Sequence, residues 1–292
     1  MTAQGTLSRT SHRRWLFTGG SGRVGRMVRR HWSRYPPDAE LVYQSRRDKS
    51  DLLWDPLTSP LPSEAGQFSC LIAFAGITPA TGSRLELNVT LAEATLAAAR
   101  AANIPRVLLT SSSAVYGAPL AHAPLRETDL PHPLNTYGKT KAAMEEVCVW
   151  WRADGLEVCC LRIGNVAGAD ALLLSGDRAT HQDPLHIDQF ADGDGPRRSY
   201  IGPSTLAKVM EALANTQSAL PDVLNIAAPH PVGMRDLAVA AGFPWTWVRA
   251  PQSAVQDITL NCTALSRLYE FSPADSCPDE MVRQWKCQDI QP

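Results

Sequence analysis

Tyr137 and Lys141 stand four residues apart in Tyr137-Gly138-Lys139-Thr140-Lys141, downstream of the run Ser111-Ser112-Ser113-Ala114-Val115-Tyr116-Gly117. Residues four apart on a helix share a face, so the phenol and the ammonium would point the same way. A neighbouring ammonium stabilises a phenolate, which predicts a tyrosine pKa lowered from about 10 toward working pH. Such a tyrosine can act as general base in an oxidation and as general acid in a reduction. Ser112 would hold the reacting oxygen by a hydrogen bond. The hydride itself has to come from a cofactor. Tyr-x-x-x-Lys alone also occurs by chance on surface helices, so it needs a cofactor site in the same chain.

That site is expected at Thr18-Gly19-Gly20-Ser21-Gly22-Arg23-Val24-Gly25. Gly19, Gly22 and Gly25 follow a predicted strand and open a predicted helix. Without Cβ atoms, the backbone N–H groups can approach a pyrophosphate, and a helix N-terminus favours its charge. A tight turn uses the same residues, and it is the strand–turn–helix context that points to a dinucleotide. The second strand should end on the adenosine ribose, where an acid would accept from the 2′-hydroxyl. Gln44 stands there instead, followed by Ser45, Arg46 and Arg47. A guanidinium can pair with a phosphate through two hydrogen bonds, so this end favours NADP over NAD. The alternative makes Arg46 and Arg47 a solvated turn and gives the ribose to Asp48. Asp55 is a candidate for the adenine amino group, or equally a turn residue before Pro56.

The elements that must position these groups can be read from apolar spacing. Residues 14–18, 40–44, 70–75, 106–110 and 156–163 read as strands. Residues 24–33, 88–102 and 137–153 read as helices. This alternation predicts an α/β fold, a doubly wound and mostly parallel sheet of the Rossmann type with helices on both faces. The core is expected over residues 14–168. Residues 206–214 read as a helix, and 223–227 as a strand, so 206–228 would rejoin that core. Residues 169–205 and 229–292 would form a small substrate-binding lobe. From Pro229 the chain reads as irregular, with Trp245 and Trp247 in a satellite core.

With 44% apolar and 20% charged residues in 292, the chain has the make-up of a water-soluble globular protein with a full-sized core. A net charge of −1 argues against nucleic acid or an anionic membrane as partner. No apolar run approaches the ~18 residues that span a bilayer. Residues 1–13 read as a flexible tail, since Trp15-Leu16-Phe17 is too short for a signal-peptide core. The seven cysteines are odd in number and scattered, and Cys159-Cys160 lie in an apolar run, so buried thiols and a reducing cytoplasm are expected. No His/Cys cluster has metal-ligand spacing.

Taken together, these residues resemble the extended short-chain dehydrogenase/reductase family, in particular its NAD-dependent epimerase/dehydratase branch, over about residues 14–275. The carriers are Thr18–Gly25, Ala75-Gly76, Asn88, Ser111–Gly117, Tyr137–Lys141, Leu161-Arg162-Ile163-Gly164-Asn165-Val166-Ala167-Gly168, and Asp194-Gly195-Pro196-Arg197-Arg198-Ser199-Tyr200-Ile201. The resemblance implies that Ser112, Tyr137 and Lys141 are catalytic, with Lys141 also on the nicotinamide ribose. It implies cofactor contacts from Gly19, Gly22, Arg23, Val24, Gly25, Gln44, Arg46, Asp55, Ala75, Gly76 and Asn88. It assigns Ser113, Asn165 and Arg198 to the substrate, Arg198 as the binder of a nucleotide diphosphate. It also implies a homodimer paired through the helices near 88–102 and 137–153; Trp150 and Trp151 suit that pairing, or equally packing within one copy.

The departures narrow the chemistry. Ser113-Ala114 follow Ser112 where 4,6-dehydratases carry Asp-Glu, so water elimination is not expected. The stretch between Gly168 and Pro184 is short, and Ser199, Gly202 and Thr205 replace the acids and histidine of the usual diphosphate segment. Three readings follow: a nucleotide-sugar epimerase, an NADP-dependent reductase of another carbonyl compound, and a cofactor-binding sensor without turnover. Of His122, His132, His181 and His186, which lie in predicted loops, His186 is the one worth testing.

Overall fold

The protein is described here from a computed structural model, which covers residues 13–47, 50–79, 84–119 and 123–287. Asp48, His122 and nearly all of the N-terminal tail lie outside the described residues. In chain order the elements begin with β1 (Arg14–Thr18), α1 (Arg23–Arg34), β2 (Glu40–Ser45), β3 (Leu52–Leu53), β4 (Cys70–Ala73), α2 (Leu87–Ala101), β5 (Arg106–Ser112), α3 (Thr136–Ala153) and β6 (Glu157–Ile163). They continue through β7 (Asn165–Val166), α4 (Ala171–Gly176), β8 (Leu185–Gln189), β9 (Arg197–Arg198), β10 (Tyr200–Ile201), α5 (Pro203–Asn215) and β11 (Val223–Ile226). The last are β12 (Val232–Gly233), α6 (Met234–Ala241), β13 (Trp245–Arg249), β14 (Asp257–Ile258) and α7 (Pro278–Lys286).

Seven strands form one sheet in the order β11-β6-β5-β4-β1-β2-β3, and every pairing in it is parallel. The middles of the central strands β1, β4, β5 and β6 are apolar because both faces are covered. Successive residues alternate between the two cores, as strand geometry requires. Trp15, Phe17, Ile72, Leu108 and Cys159 pack on the face that carries α1 and α5. Leu16, Leu71, Ala73, Val107, Leu109 and Cys160 pack on the face that carries α2 and α3. The expected doubly wound α/β fold is therefore the observed one. Chain direction along the sheet reverses between β1 and β4, where a crevice opens at the carboxyl ends of the strands.

The region after Pro229 is more ordered than its sequence suggests. α6, β13 and α7 form there, and Trp245 and Trp247 pack edge to face at 5.0 Å against the main core rather than in a satellite. β13 pairs in parallel with β8, so each strand satisfies backbone groups of the other. A small separate cluster does exist, around Val115, Tyr116, Leu125, Ala227, Leu260 and Cys262. Gly168, in the left-handed region at φ 82°, lies under the Trp285 ring of α7, and a Cβ there would come within 2.0 Å of it. On α3 the two tryptophans divide: Trp151 packs on the core and Trp150 is 79% exposed.

Candidate active site

The phosphate loop is built by close packing. A Cβ on Gly19 would lie 2.2 Å from the Ala75 nitrogen, and one on Gly25 would lie 2.2 Å from the Gly19 carbonyl. These two glycines let β1, β4 and α1 meet. Gly22 has a different surrounding: its nearest neighbour is the Gly19 carbonyl, 3.3 Å from a built Cβ. Gly22 is the N-cap of α1, no side chain caps it, and the first turn holds no acid. An anion can therefore approach the free N–H groups, with the exposed Arg23 alongside. The fold, the glycines and the uncapped helix suit a dinucleotide pyrophosphate.

The two other cofactor candidates near the ribose are engaged internally. Gln44 is buried, and its amide donates to the Trp54 carbonyl, tying β2 to the segment after β3. Asp55 accepts from the Leu57 N–H at 3.1 Å, so its carboxylate closes a turn. Arg46 is exposed at the end of β2. Asn88 is buried at the start of α2; it accepts from the Ile77 N–H at 2.9 Å and donates to the Ile77 and Leu85 carbonyls. It shapes the Ala75–Ile77 loop and acts on any ligand through that loop.

At the crevice lies a cavity of about 210 Å³. Ser112, Tyr137, Lys141 and Asn165 line it, with Val24 and Gly76 on the side of the phosphate loop. The catalytic candidates of the sequence therefore meet in one cleft. α3 brings two of them. Asn135 caps it by accepting from the Gly138 N–H at 2.8 Å. Gly138 lets the first turn press on the short 3-10 helix Ser113–Val115, because a Cβ there would sit 2.3 Å from the Ala114 carbonyl. That contact sets the Tyr137 phenol against Ser112, to which it is hydrogen bonded.

The expected electrostatics need a correction. Burial raises the Tyr137 pKa, and the bond with Ser112 offsets only part of the rise. Lys141 does not lower it, because its ammonium donates to the Thr110 carbonyl at 2.9 Å instead of facing the phenol. Burial brings Lys141 down to about 8, with Cys160, Glu145 and Cys148 working against the fall.

The substrate candidates divide as well. Ser113 opens the 3-10 turn beside the cleft, and its carbonyl accepts from the Tyr116 N–H. Arg198 does not line the cavity. Its guanidinium donates to the carbonyls of Arg197, Val255 and Gln256 at 2.8, 3.0 and 2.6 Å. It ties β9 to the chain before β14. His186 is exposed on β8, opposite Thr246. Sequence reasoning missed Ile77, Thr78, Ile163, Ala169 and Asp170, which also line the cavity. Asp170 had a visible signal, an acid just before Ala171-Leu172-Leu173-Leu174. It caps α4, accepting from the Leu172 and Leu173 N–H groups at 3.0 and 3.2 Å.

Comparison with known proteins bears on this arrangement. The profile of the NAD dependent epimerase/dehydratase family matches residues 15–226. The chain belongs to that family. A UDP-glucose 4-epimerase of Lactobacillus helveticus is 38% identical over 112 residues, 37% of this chain and 34% of that protein. One from Rhizobium leguminosarum bv. trifolii is 35% identical over 131 residues, 44% of this chain and 40% of that one. The matched segments thus span well under half of these relatives. Among solved structures, the UDP-Glc/GlcNAc 4-epimerase of Campylobacter jejuni superposes with a TM-score of 0.76 at 17% identity, covering 94% of this chain and 98% of that one. An NAD dependent NDP-hexosamine 5,6-dehydratase, TunA, gives 0.75 at 18% identity over 95% and 99%. At such identities the two structures share the fold of this family member.

Proposed function

We propose that the protein is an NAD(P)-dependent oxidoreductase that interconverts a hydroxyl and a carbonyl on a sugar or nucleotide sugar. The observation that carries this reading is that Ser112, Tyr137 and Lys141 line one cleft. When bound, the dinucleotide supplies or accepts the hydride. The Gly19–Gly25 loop, Arg23, Val24 and Gly76 would hold it, and Lys141 would serve its ribose from the cleft lining. The Ser112 hydroxyl donates to the reacting oxygen. Tyr137 exchanges the proton at that oxygen, giving it to a developing alkoxide in reduction and taking it in oxidation. Burial keeps Tyr137 protonated, which suits the donating direction. Asn165 orients the substrate from the opposite wall. Elimination of water is outside this reading, since Ser113 and Ala114 offer no acid–base pair.

The exposed Arg46, with no acid at Gln44, favours NADP over NAD. The relatives named UDP-glucose 4-epimerase favour a nucleotide sugar and an epimerisation, in which the cofactor ends unchanged. A second reading, reduction of a carbonyl compound without a nucleotide, draws on Arg198, whose guanidinium already serves three carbonyls. The segments 169–205 and 229–287 carry the substrate in either case.

Fluorescence titration with NADH and NADPH, followed by a panel of nucleotide sugars and simple aldehydes, tests this. NADPH should bind more tightly, and tenfold tighter NADH binding refutes the preference. Stoichiometric loss of NADPH selects the reductase, and isomerisation without net loss selects the epimerase. If neither dinucleotide binds, the whole reading fails. We also propose a homodimer through α2 and α3. Sedimentation should show two copies, and Trp150→Glu should give one; a monomeric parent protein ends that proposal.

A further inference from the structure

Beneath the cleft lies a buried ion pair, Glu145 with Arg162, that the reaction as described does not use. Tyr137, Lys141 and Glu145 follow one another at intervals of four on α3, and the last three residues of β5 meet them. Ser112 bonds Tyr137, the Thr110 carbonyl accepts from Lys141, and the Ser111 hydroxyl donates to Glu145 at 2.5 Å. The Glu145 carboxylate is also clamped by Arg162 of β6. Arg162 Nη2 donates to Glu145 Oε2 at 2.7 Å, and Nε lies 3.1 and 3.2 Å from the two carboxylate oxygens. Both side chains are under a tenth exposed. The guanidinium is fixed in turn, stacked 4.5 Å from the centre of the Tyr116 ring and donating to the Glu127 carbonyl at 3.5 Å. Tyr116 donates to Asn225 of β11 at 2.8 Å.

A buried ion pair adds little to stability over apolar side chains of the same volume, because desolvation offsets most of the attraction. Its place one helical turn from Lys141 gives it another effect. We propose that Glu145 is a positioning residue for the proposed reaction: its carboxylate, held by Arg162, fixes Ser111 and with it the neighbouring Thr110 carbonyl on which the Lys141 ammonium is seated. The inference rests on the reading of Lys141 as a working part of the site. The ionisable groups that act on Lys141 are Cys160 on β6, then Glu145 and Cys148 on α3. Glu145 is the acid among them, so loss of its charge should ease deprotonation of Lys141.

The chain has five lysines, Lys49, Lys139, Lys141, Lys208 and Lys286, so ¹³C-lysine NMR can follow Lys141 directly, assigned with Lys141→Arg. In Glu145→Gln the Lys141 midpoint should fall by about one pH unit, and Glu145→Asp, which keeps the charge, should restore it. Glu145→Gln leaves Arg162 unpaired and can fail to fold. The double variant Glu145→Met with Arg162→Met removes both charges while keeping volume, and the midpoint should fall there too. The alkaline limb of turnover should move down with it. An unmoved Lys141 midpoint in the double variant overturns the proposal, as does a midpoint that moves while the limb stays. A titration that shifts as expected in a protein without any turnover sinks the oxidoreductase reading and leaves the coupling standing.

Discussion

Tyr137 is buried against Ser112, so its proton is held tightly until a reacting oxygen takes it. Tyr137→Phe keeps the ring and its packing and removes only that proton. Dinucleotide affinity should stay within about twofold, and turnover should drop by roughly 10²–10⁴; steady-state kinetics beside fluorescence titration will tell, and undiminished turnover refutes the role. Lys141 is brought to about 8 by burial, so the proposed role predicts an alkaline limb of activity near that pH, to be read from a pH–rate profile. His31 makes a second, separate pH effect. Burial and then Lys208 hold it at about 4, against an ordinary 6.5. Between those values the unfolded chain binds more protons than the folded one. The contribution of His31 to stability is thus full above pH 6.5 and is lost as pH falls toward 4. Urea midpoints at pH 7.5 and 4.5 should differ less in His31→Asn than in the parent protein. At this scale the sequence showed that Tyr137 and Lys141 would line one site, since their spacing places them on one helix face. It did not show Lys141 turning to the Thr110 carbonyl, because that depends on where the end of β5 falls. Nor did it show Asn88, Gln44 and Arg198 bonding backbone groups of other residues, because such side-chain partners carry no local pattern.

The element that decides the geometry is α3, and Gly138 decides how closely α3 approaches the Ser113–Val115 turn. An added methyl in Gly138→Ala would face backbone, with no flexible side chain to yield. Overpacking of this kind destabilises by about 1–3 kcal/mol, and a shift of α3 of even about an ångström separates Tyr137 from Ser112. Turnover should fall by about 10²-fold while dinucleotide binding at the α1 loop survives. Equal loss of both would mean that the turn does not set the site. Most elements were legible. β1, β4, β5 and β6 announce themselves as continuous apolar runs because the sheet is covered on both sides. α6, β13 and α7 were not, since β13 depends on pairing with β8 and α7 on packing against α5 and α6. Local composition around Pro229, with its prolines and scattered tryptophans, gave no hint of those partners.

Across the whole molecule, the parallel sheet gathers the α1 loop, the end of β4 and the end of β5 at one edge, and the helices on its two faces fix their separation. The parallel, doubly wound arrangement was accessible because strands alternate with helices along the chain and the crossovers bury both faces; the strand order was not read from the sequence. The cleft wall formed by Ile163, Ala169 and Asp170 was not, because it forms only when β7, β10 and α4 fold back beside it.

The Trp285 ring seated over Gly168 ties the far end of the chain to that wall. Trp285→Ala would vacate a core position and should lower stability by about 3–5 kcal/mol, read from chemical denaturation; a change below 1 kcal/mol would show the contact to be idle. Gly168 is two residues before Asp170, so the same variant should also loosen the binding groove. Any shortened version of this protein made for crystallisation or screening must keep Trp285, or the ligands it is meant to report on will meet a collapsed mouth.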